Sequence, residues 1–311
     1  MLRIIYPRYE TFAKLTFFYQ TTKSLLKKRT IFGNVGNFYY FCRVNNIRAS
    51  PAQNMSLSIK DLSIGYGARV VQQGLNLKAE SGNLVCLIGT NGCGKSTLLR
   101  TLAGLQPSLA GSILLGDTEL TELGEKERSK QISVVLTDRL SADRTTVYDI
   151  VAMGRYPYTS MLGRLTEDDR HIVEEALCQT EMLQKQHRFF NELSDGEKQR
   201  TLIAKALTQQ TPLVLLDEPT AHLDLPNRIK TLLMLRQLAH SSGRIVIIST
   251  HELNLALQTA DYIWLMVPDR GIEVGTPEAL VESGEFQKAF EDKHFRFISD
   301  AGTLRLLITD N

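Results

Sequence analysis

The glycine-rich stretch at residues 89–96 could bind phosphate groups. It reads Gly-Thr-Asn-Gly-Cys-Gly-Lys-Ser and fits the pattern G-x-x-x-x-G-K-[ST]. Glycines let the backbone turn tightly, so that successive N–H groups point at one anion. The pattern predicts that Lys95 reaches the β- and γ-phosphates of a nucleotide and that the Ser96 hydroxyl binds Mg²⁺. The other residues of the predicted phosphate site are Gly89, Asn91, Gly92, Gly94 and Thr97.

Segments of suitable type flank this loop on both sides. The apolar run at 84–88 predicts a buried strand before it, and residues 95–103 predict a helix after it. The N-terminus of that helix would add partial positive charge where the N–H groups of the loop converge. The alternative is a glycine-rich turn before an ordinary helix. The complete strand–loop–helix setting argues against that alternative.

Two acidic residues follow another predicted strand. Residues 213–216 are all apolar and lead directly into Asp217 and Glu218. Because open α/β sheets bind ligands at the carboxyl ends of their strands, these acids would lie at the ligand-binding edge. Asp217 is therefore a predicted Mg²⁺ ligand, and Glu218 is a predicted general base for the attacking water. Many strands end in two acids, so the phosphate loop upstream is what gives this pattern weight.

The segment at 193–197 reads Leu-Ser-Asp-Gly-Glu and predicts the start of a helix. Ser194, with Glu197 three residues later, forms the pattern of a capping box. The segment also resembles the L-S-x-G-E/Q signature of ATP-binding cassette (ABC) proteins. In that family the signature faces the γ-phosphate bound by the other subunit. The resemblance therefore implies that Ser194 and Gly196 contact ATP held by a second copy of the chain.

The remaining motifs of the ABC family follow in the order that the resemblance requires. Residues 219–224 match the D-loop, which ends in Leu-Asp, so Asp224 is an implied nucleotide-site residue. Residues 249–252 match the switch-histidine loop, which gives His251 a catalytic role. A lone histidine after a strand is usually an ordinary surface residue. Here its order and spacing after the other motifs favour the catalytic interpretation.

One aromatic residue completes the implied nucleotide site. Tyr66 lies where the ABC family places a ring against adenine, although Gly-Tyr-Gly is also a common turn. The resemblance covers about residues 55–290, and it is specific because all the motifs occur together. It implies an ATPase that binds ATP and Mg²⁺, with Lys95, Glu218 and His251 as the catalytic residues.

One position departs from the family pattern. The family normally has a glutamine at the end of the strand before its helical insertion, where the amide touches Mg²⁺ and the attacking water. Residues 132–139 read Ile-Ser-Val-Val-Leu-Thr-Asp-Arg, which puts Thr137 at that position as an uncertain metal-site residue. Threonine is shorter and has no amide. A bridging water, a contribution from Asp138 and altered coupling to a partner remain open alternatives.

From residue 55 onward the pattern predicts a mixed α/β fold. Together with the resemblance it implies a P-loop NTPase core of the ABC type, an antiparallel β subdomain and a helical subdomain at about 140–210. The continuously apolar runs at 213–216 and 245–248 are typical of parallel strands buried on both faces. We expect an ABC domain at 55–290 and a short C-terminal segment at 291–311. The expected strands are 56–62, 70–79, 84–88, 112–116, 132–136, 213–217, 245–249, 262–267 and 272–275. The expected helices are 95–103, 167–182, 195–208, 226–240 and 252–259.

Residues 1–54 differ in composition from the rest of the chain. They carry a net charge of +8 and eleven of the 23 aromatic residues, whereas the remainder carries −6. The segment could be a membrane-surface arm, an organellar targeting peptide, or upstream sequence before a true start at Met55. We favour the last interpretation and expect a poorly ordered or non-native extension. The acidic remainder offers no electrostatic reason to expect nucleic acid.

Composition and hydropathy narrow the classes of protein. Apolar residues make up 43% and charged residues 23% of the chain, which is ordinary for a soluble globular protein. No apolar run reaches the length of about 18 residues that a membrane span needs. The four cysteines form no C-x-x-C pair, so the sequence does not predict a zinc site.

A further segment resembles one subfamily of ABC importers. Residues 146–151 read Thr-Val-Tyr-Asp-Ile-Val, and residues 153–158 read Met-Gly-Arg-Tyr-Pro-Tyr. They are similar to the T-V-x-(E/D)-x-V and G-R-x-P segment of ATPases that serve iron–siderophore, haem and cobalamin importers. In that subfamily the region lies beside the coupling helix of the membrane subunit. A proline-ended loop with exposed aromatic residues would also suit other partner surfaces.

The resemblance therefore implies the ATP-hydrolysing subunit of an importer at the cytoplasmic face of the inner (plasma) membrane. Its implied partners are a second copy in a head-to-tail dimer, separate multi-span permease subunits and, indirectly, a substrate-binding protein. The alternatives are a free-standing exporter ATPase and a soluble ABC ATPase without a transport role. The cargo stays open, because other subunits of such importers recognise it.

Overall fold

The computed structural model describes residues 55–136, 142–160, 163–221, 223–267 and 270–290, together with the backbone of 295–300 and 303–308. All of them belong to one compact unit that spans residues 44–311. Three expectations from the sequence lie outside the described residues. They concern the basic extension at 1–54, Thr137 and Asp138.

The described strands form three sheets, and helices connect most of them. The strands are β1 (Ser56–Tyr66), β2 (Arg69–Glu80), β3 (Leu84–Gly89), β4 (Ala110–Leu115), β5 (Thr118–Glu119), β6 (Ile132–Val135), β7 (Leu213–Leu216), β8 (Ile245–Ser249), β9 (Tyr262–Val267), β10 (Gly271–Gly275), β11 (Phe295–Asp300) and β12 (Thr303–Ile308). The α-helices are α1 (Lys95–Leu102), α2 (Glu125–Gln131), α3 (Val147–Ala152), α4 (Glu167–Gln179), α5 (Asp195–Thr208), α6 (Leu225–Ser242), α7 (Leu253–Thr259), α8 (Pro277–Glu282) and α9 (Glu285–Phe290). Short 3₁₀ segments cover Leu120–Glu122, Met153–Tyr158, Leu183–Lys185 and Phe190–Glu192.

The first sheet is antiparallel, with the strand order β2-β1-β4-β5. Its first two strands form a hairpin in which Tyr66 pairs with Arg69. Inward positions such as Leu57, Ile59 and Leu77 are buried, because apolar and polar residues alternate along these strands. This sheet is the antiparallel subdomain that the resemblance implies. Strands β11 and β12 form a separate antiparallel pair.

The second sheet has the order β10-β9-β3-β8-β7-β6 and is parallel except for its edge strand β10. Strands β3, β7 and β8 are buried at every position, as their continuous apolar runs predict. Alternate residues of each strand enter two different hydrophobic clusters, one on either face. In the pairing register, Val85 and Leu215 both lie opposite Ile247 of β8. The carboxyl ends of these three strands therefore meet at one edge of the sheet.

Between β6 and β7, the regular elements in the described part of the chain are helices joined by loops. Helices α3, α4 and α5 pack together in the cluster that covers one face of the parallel sheet. An isolated bridge between Thr146 and Phe189 is the only β pairing in the described parts of this region. Three of the helices begin with a complete capping box, as the sequence predicts for α5.

Several elements differ from the sequence expectations for local physical reasons. The helix expected at 167–182 ends at Gln179, because Glu181 adopts a left-handed backbone with φ 59°. Helix α2 was not predicted, since none of its residues is buried and no apolar period marks it. Helices α3, α8 and α9 have six residues each, too few to show a clear period. No helix in the described part of the chain has the length and hydropathy to cross a membrane.

Candidate functional site

The phosphate loop joins β3 to α1, and glycine is needed at its different positions for different structural reasons. A Cβ atom at Gly89 would lie 2.6 Å from the carbonyl oxygen of Met266, so the neighbouring strand leaves no room for a side chain. Gly94 has φ 112°, and a Cβ atom there would lie 2.6 Å from Cγ1 of Val71. Gly92 has φ 80° in open space, so it is needed for its conformation alone. A side chain would therefore clash at Gly89 and Gly94, and it would strain the backbone at Gly92 and Gly94.

Helix α1 presents an open N-terminus to the loop. Gly94 is its N-cap, no side chain caps the helix, and its first turn contains no acidic residue. The first N–H groups of the helix are thus left for an external acceptor, and the helix dipole favours an anion there. Lys95 is only 7% exposed, and its Nζ donates hydrogen bonds to the carbonyl oxygens of Gly89 and Thr90 at 2.9 and 3.0 Å. These bonds fix the amino group against the loop.

A cavity of about 300 Å³ lies over this loop. Tyr66 is 52% exposed beside it, and the tyrosine hydroxyl shares a hydrogen bond of 3.1 Å with Oγ1 of Thr97. A volume of this order suits part of a nucleotide in an open cleft. The lining residues are Tyr66, Arg69, Val71, Asn91, Gly92, Gly94, Lys95, Ser96, Thr97 and Glu218.

Most of the lining was predicted from the sequence, but Arg69 and Val71 were missed. Both belong to β2, which the hairpin turn brings back alongside Tyr66. The only available signal was their nearness to Tyr66 in the chain, since neither residue belongs to a recognised motif. Arg69 adds a cation to the open side of the cavity, and Val71 adds an apolar wall.

The two acids after β7 are held by a serine at the end of β8. Ser249 is completely buried, and its hydroxyl donates a hydrogen bond of 2.5 Å to Oδ1 of Asp217. The same hydroxyl accepts a hydrogen bond of 2.9 Å from the backbone N–H of Glu218. Sequence reasoning assigned no role to Ser249. Its contacts arise only when β7 and β8 lie side by side, 31 and 32 residues apart in the chain.

Glu218 has an unusual backbone conformation. Its φ is 49°, in the left-handed region that costs a non-glycine residue about 1 kcal/mol or more. The hydrogen bond to Ser249 helps to hold this conformation, and the Glu218 side chain lines the cavity. His251 is 53% exposed, and its Nδ1 lies 3.6 Å from Oε1 of Glu218. The structure therefore brings the predicted base and the predicted switch histidine together.

The signature segment lies at the start of α5. The Ser194 hydroxyl accepts a hydrogen bond of 3.4 Å from the N–H of Glu197, whose Oε2 accepts one of 2.9 Å from the N–H of Ser194. Glu197 also forms an ion pair with Lys185. This hydrogen-bonded cation lowers the pKa of Glu197 to about 2. Gly196 packs against the D-loop, since a Cβ atom there would lie 3.2 Å from Cδ2 of Leu223.

Four predicted nucleotide-binding residues are not part of the cavity lining. They are Gly89 of the phosphate loop, Ser194, Gly196 and Asp224. Asp224 caps helix α6, and its Oδ1 accepts a hydrogen bond of 3.1 Å from the N–H of Asn227. Asp217 is 4% exposed and lies behind the lining rather than in it. The cavity therefore holds the phosphate-loop half of the predicted site, and the signature half lies elsewhere on the same molecule.

The segment at 153–158 is fixed by a buried arginine. Nε of Arg155 donates to Oδ1 of Asp169 at 2.8 Å, and its Nη1 donates to the carbonyl oxygen of Thr208 at 2.8 Å. The guanidinium also lies 4.0 Å from the ring centroid of Tyr158. These contacts tie the segment to the start of α4 and the end of α5. Tyr156 is left 59% exposed on the surface.

Comparisons with known proteins agree with this architecture. Residues 72–221 match the family model described as ABC transporter. An uncharacterised ABC transporter ATP-binding protein of Methanocaldococcus jannaschii is 36% identical over 250 residues, which cover 80% of this chain and 86% of that protein. The iron(3+)-hydroxamate import ATP-binding protein of Bacillus subtilis is 36% identical over 236 residues, 76% of this chain and 88% of that protein.

A solved structure is similar over nearly its whole length. It shows a transporter assigned to the metal-chelate ABC type in an inward-facing conformation. The alignment has a TM-score of 0.68 and 28% sequence identity, and it covers 82% of this chain and 97% of that one. With the sequence relatives, this similarity shows that the chain belongs to the ATP-binding subunits of the ABC transporter family, which are ATPases.

Proposed function

We propose that the chain is the ATP-hydrolysing subunit of an importer for an iron–siderophore, haem or cobalamin-type cargo. The observation that carries this proposal is the convergence of the phosphate loop, Tyr66 and Glu218 on one cavity. The cargo class is supported by the Bacillus subtilis relative, which is named for iron(3+)-hydroxamate import. It is also supported by the segment at 153–158, whose exposed Tyr156 suits a partner surface.

The residues of the cavity fit a nucleoside triphosphate. The uncapped N-terminus of α1 and the glycine loop offer N–H donors to phosphate oxygens. Lys95 adds a fixed positive charge at the same place. Tyr66 has the exposure and position to stack on the adenine ring. The loop residues Gly89, Asn91, Gly92, Gly94, Ser96 and Thr97 complete the proposed phosphate contacts.

The donor set also fits a magnesium ion. The Ser96 hydroxyl and the Asp217 carboxylate are hard oxygen ligands of the kind that Mg²⁺ prefers. When bound, Mg²⁺ neutralises charge that develops on the phosphate oxygens. The Ser249 hydroxyl keeps the Asp217 carboxylate in one orientation. Because Ser249 also holds Glu218, the proposed metal ligand and the proposed base are positioned by the same buried group.

Glu218 and His251 are the proposed catalytic pair. Glu218 would accept a proton from the attacking water, since its carboxylate borders the cavity beside the phosphate loop. His251, 3.6 Å from that carboxylate, would hold Glu218 and the γ-phosphate in register. The left-handed backbone of Glu218 directs the side chain from the end of β7 towards the cavity, and this strain supports a functional role.

A second copy of the chain would complete the site. The capped start of α5 and Asp224 lie outside the cavity that holds the phosphate loop. Head-to-tail pairing would bring Ser194, Gly196 and Asp224 of one copy to the nucleotide of the other. Hydrolysis would then follow closure, because only the closed pair has all donors around the γ-phosphate.

The chain would work at the cytoplasmic face of the plasma membrane, beside separate permease subunits. Deleting it from its native cell and measuring uptake of labelled ferric siderophore, haem and cobalamin tests the importer proposal. We expect uptake of one of these cargoes to fall and to return with the wild-type chain but not with Lys95→Ala. If the deletion strain takes up all three cargoes at the normal rate and the purified chain hydrolyses ATP, the cargo class is contradicted and the ATPase assignment stays intact.

A further inference from the structure

The predicted switch histidine lies between two carboxylates. Nδ1 of His251 is 3.6 Å from Oε1 of Glu218, and its Nε2 is 3.9 Å from Oε1 of Glu252. Only the first carboxylate lines the cavity. The two acids compete for one imidazole, because each attracts the ring's N–H groups or its positive charge.

The second carboxylate, that of Glu252, already has a cationic partner in Arg228 of helix α6. Its Nη1 forms an ion pair with Oε1 of Glu252, the same oxygen that faces His251. Both side chains are roughly two-thirds shielded from water, so the pair is screened less than a fully exposed one. Nε of the same guanidinium donates a hydrogen bond of 2.7 Å to the carbonyl oxygen of Leu223 in the D-loop.

We propose that Arg228 is a positioning residue for the switch histidine. By neutralising Glu252 it leaves His251 directed towards Glu218 and the cavity. This inference rests on the proposed catalytic roles of Glu218 and His251. Without the guanidinium, the charge of the Glu252 carboxylate would no longer be neutralised, and it would attract the Nε2 side of the His251 imidazole away from Glu218. Arg228 therefore acts through the other two residues and does not touch the nucleotide.

The bond to Leu223 gives the same arginine a second connection. Leu223 is buried, and its Cδ2 lies 3.2 Å from the place that a Cβ atom would take at Gly196 in the signature segment. A continuous set of contacts therefore runs from the start of α5 through Leu223 and Arg228 to Glu252 and His251. In the proposed dimer, the first end of this set faces one nucleotide and the other end faces the second. Coupling between the two nucleotide sites is established by measuring an interaction energy between variants, and these contacts show which residues to vary.

Four variants and one control test the proposal. Arg228→Met keeps the aliphatic stem but removes the charge, and we expect kcat for ATP to fall about tenfold with KM nearly unchanged. Glu252→Gln removes the competing charge and should keep most of the wild-type kcat. The double variant Arg228→Met/Glu252→Gln should recover most of the activity that Arg228→Met loses, and Arg228→Lys should retain part of it.

The control is Arg236→Met, on the same helix. Arg236 pairs with Asp261 at 3.3 Å, and in the described part of the chain no hydrogen bond or ion pair joins it to His251, Glu218 or Glu252. Its kcat should stay at the wild-type value. The control therefore distinguishes the loss of any ion pair of α6 from the loss of the Arg228–Glu252 pair. Nucleotide affinity and the thermal unfolding midpoint, measured for each variant, show whether the fold and the cavity are intact.

Two results would overturn the inference. One is a wild-type kcat in folded Arg228→Met. The other is a double variant that is no more active than Arg228→Met, because then charge competition for His251 is not the cause. A wild-type chain without ATPase activity would instead contradict the proposed function, and the two failures are thus distinguishable.

Discussion

Two helices of this molecule begin at predicted phosphate contacts, but their first turns differ. Helix α1 starts after Gly94, has no side-chain cap and carries no acid in its first turn. Helix α5 starts at Ser194 with a complete capping box and carries two acids, Asp195 and Glu197, in its first turn. An open helix N-terminus attracts anions, whereas nearby carboxylates oppose them.

The difference separates a primary anion site from a secondary one. The start of α1 has Lys95 fixed beside it and can hold a phosphate group without further help. The start of α5 has already satisfied part of its own N–H groups, and Lys185 offsets only one of its two acids. We infer that α5 binds a nucleotide only when a second copy already holds it on α1.

The largest effect is expected at the primary site. Lys95→Ala removes the fixed cation of the phosphate loop, so nucleotide binding or ATP hydrolysis should fall at least about 100-fold. Equilibrium binding of ATP and a phosphate-release assay measure the two quantities. Lys185→Ala is the matched control, because it removes a lysine beside α5 instead of α1. Comparable losses in both variants would contradict the ranking of the two helix starts.

Glu218→Gln should separate binding from turnover. The amide keeps the shape of the side chain but cannot accept the proton of water, so kcat should fall about 100-fold or more. ATP binding should persist, and size-exclusion chromatography with light scattering should show an ATP-dependent dimer. A variant that hydrolyses ATP at the normal rate would refute the assignment of Glu218 as the base. A variant that stays monomeric with ATP would count against the secondary site on α5.

Ser249→Ala should have an intermediate effect. The change leaves the N–H of Glu218 without its serine partner and removes the hydroxyl that donates to the Asp217 carboxylate, so stability should fall by about 1–3 kcal/mol. We also expect kcat to fall about tenfold, since both acids lose their common support. Ser242→Ala is the control, a buried serine that donates a hydrogen bond of 2.7 Å to Leu238 far along α6. It should lose stability only, and an equal loss of kcat in both variants would remove the special role of Ser249.

The smallest effect is expected at Lys185, where pH provides the measurement. The pKa of Glu197 is about 2 in the folded chain against an ordinary 4.5, so its ion pair stabilises the fold above pH about 4.5. That contribution is lost as the pH falls through about 2. Lys185→Met should therefore lower stability near pH 7 by about 0.5 kcal/mol and make it less dependent on pH between 4.5 and 2. Urea unfolding at pH 7 and pH 3 measures both quantities, and parallel curves for the two proteins would contradict the pairing.

The sequence identified the components of the nucleotide site but not all of their supports. The phosphate loop, Asp217, Glu218 and His251 stand out because their residue types and order are rare in combination. Ser249 and Arg228 do not stand out, since a serine at the end of a strand and an arginine on a helix are common. Their roles depend on partners 24 to 32 residues away in the chain.

The residue pattern also predicted which helices and strands exist more accurately than it predicted where they end. The apolar runs at 213–216 and 245–248 predicted buried parallel strands because both faces of such a sheet are covered. The expected helix at 167–182 stops three residues early, where the backbone of Glu181 becomes left-handed, and the apolar pattern carries no mark of that change. Short helices without a buried face, such as α2, give no periodic signal at all.

The sequence by itself determined the class of chemistry. Glycine at tight turns, a lysine before a serine and acids after an apolar strand allow few other uses, because each residue type is needed for its own backbone freedom or charge. Only the tertiary structure decided how these groups are held and which of them share a cavity. The pairing of β3, β7 and β8 brings three distant strand ends to one edge, and the packing of α5 against α3 and α4 places the start of α5 outside the cavity. Contacts of this kind depend on register and close packing, which residue order alone does not specify.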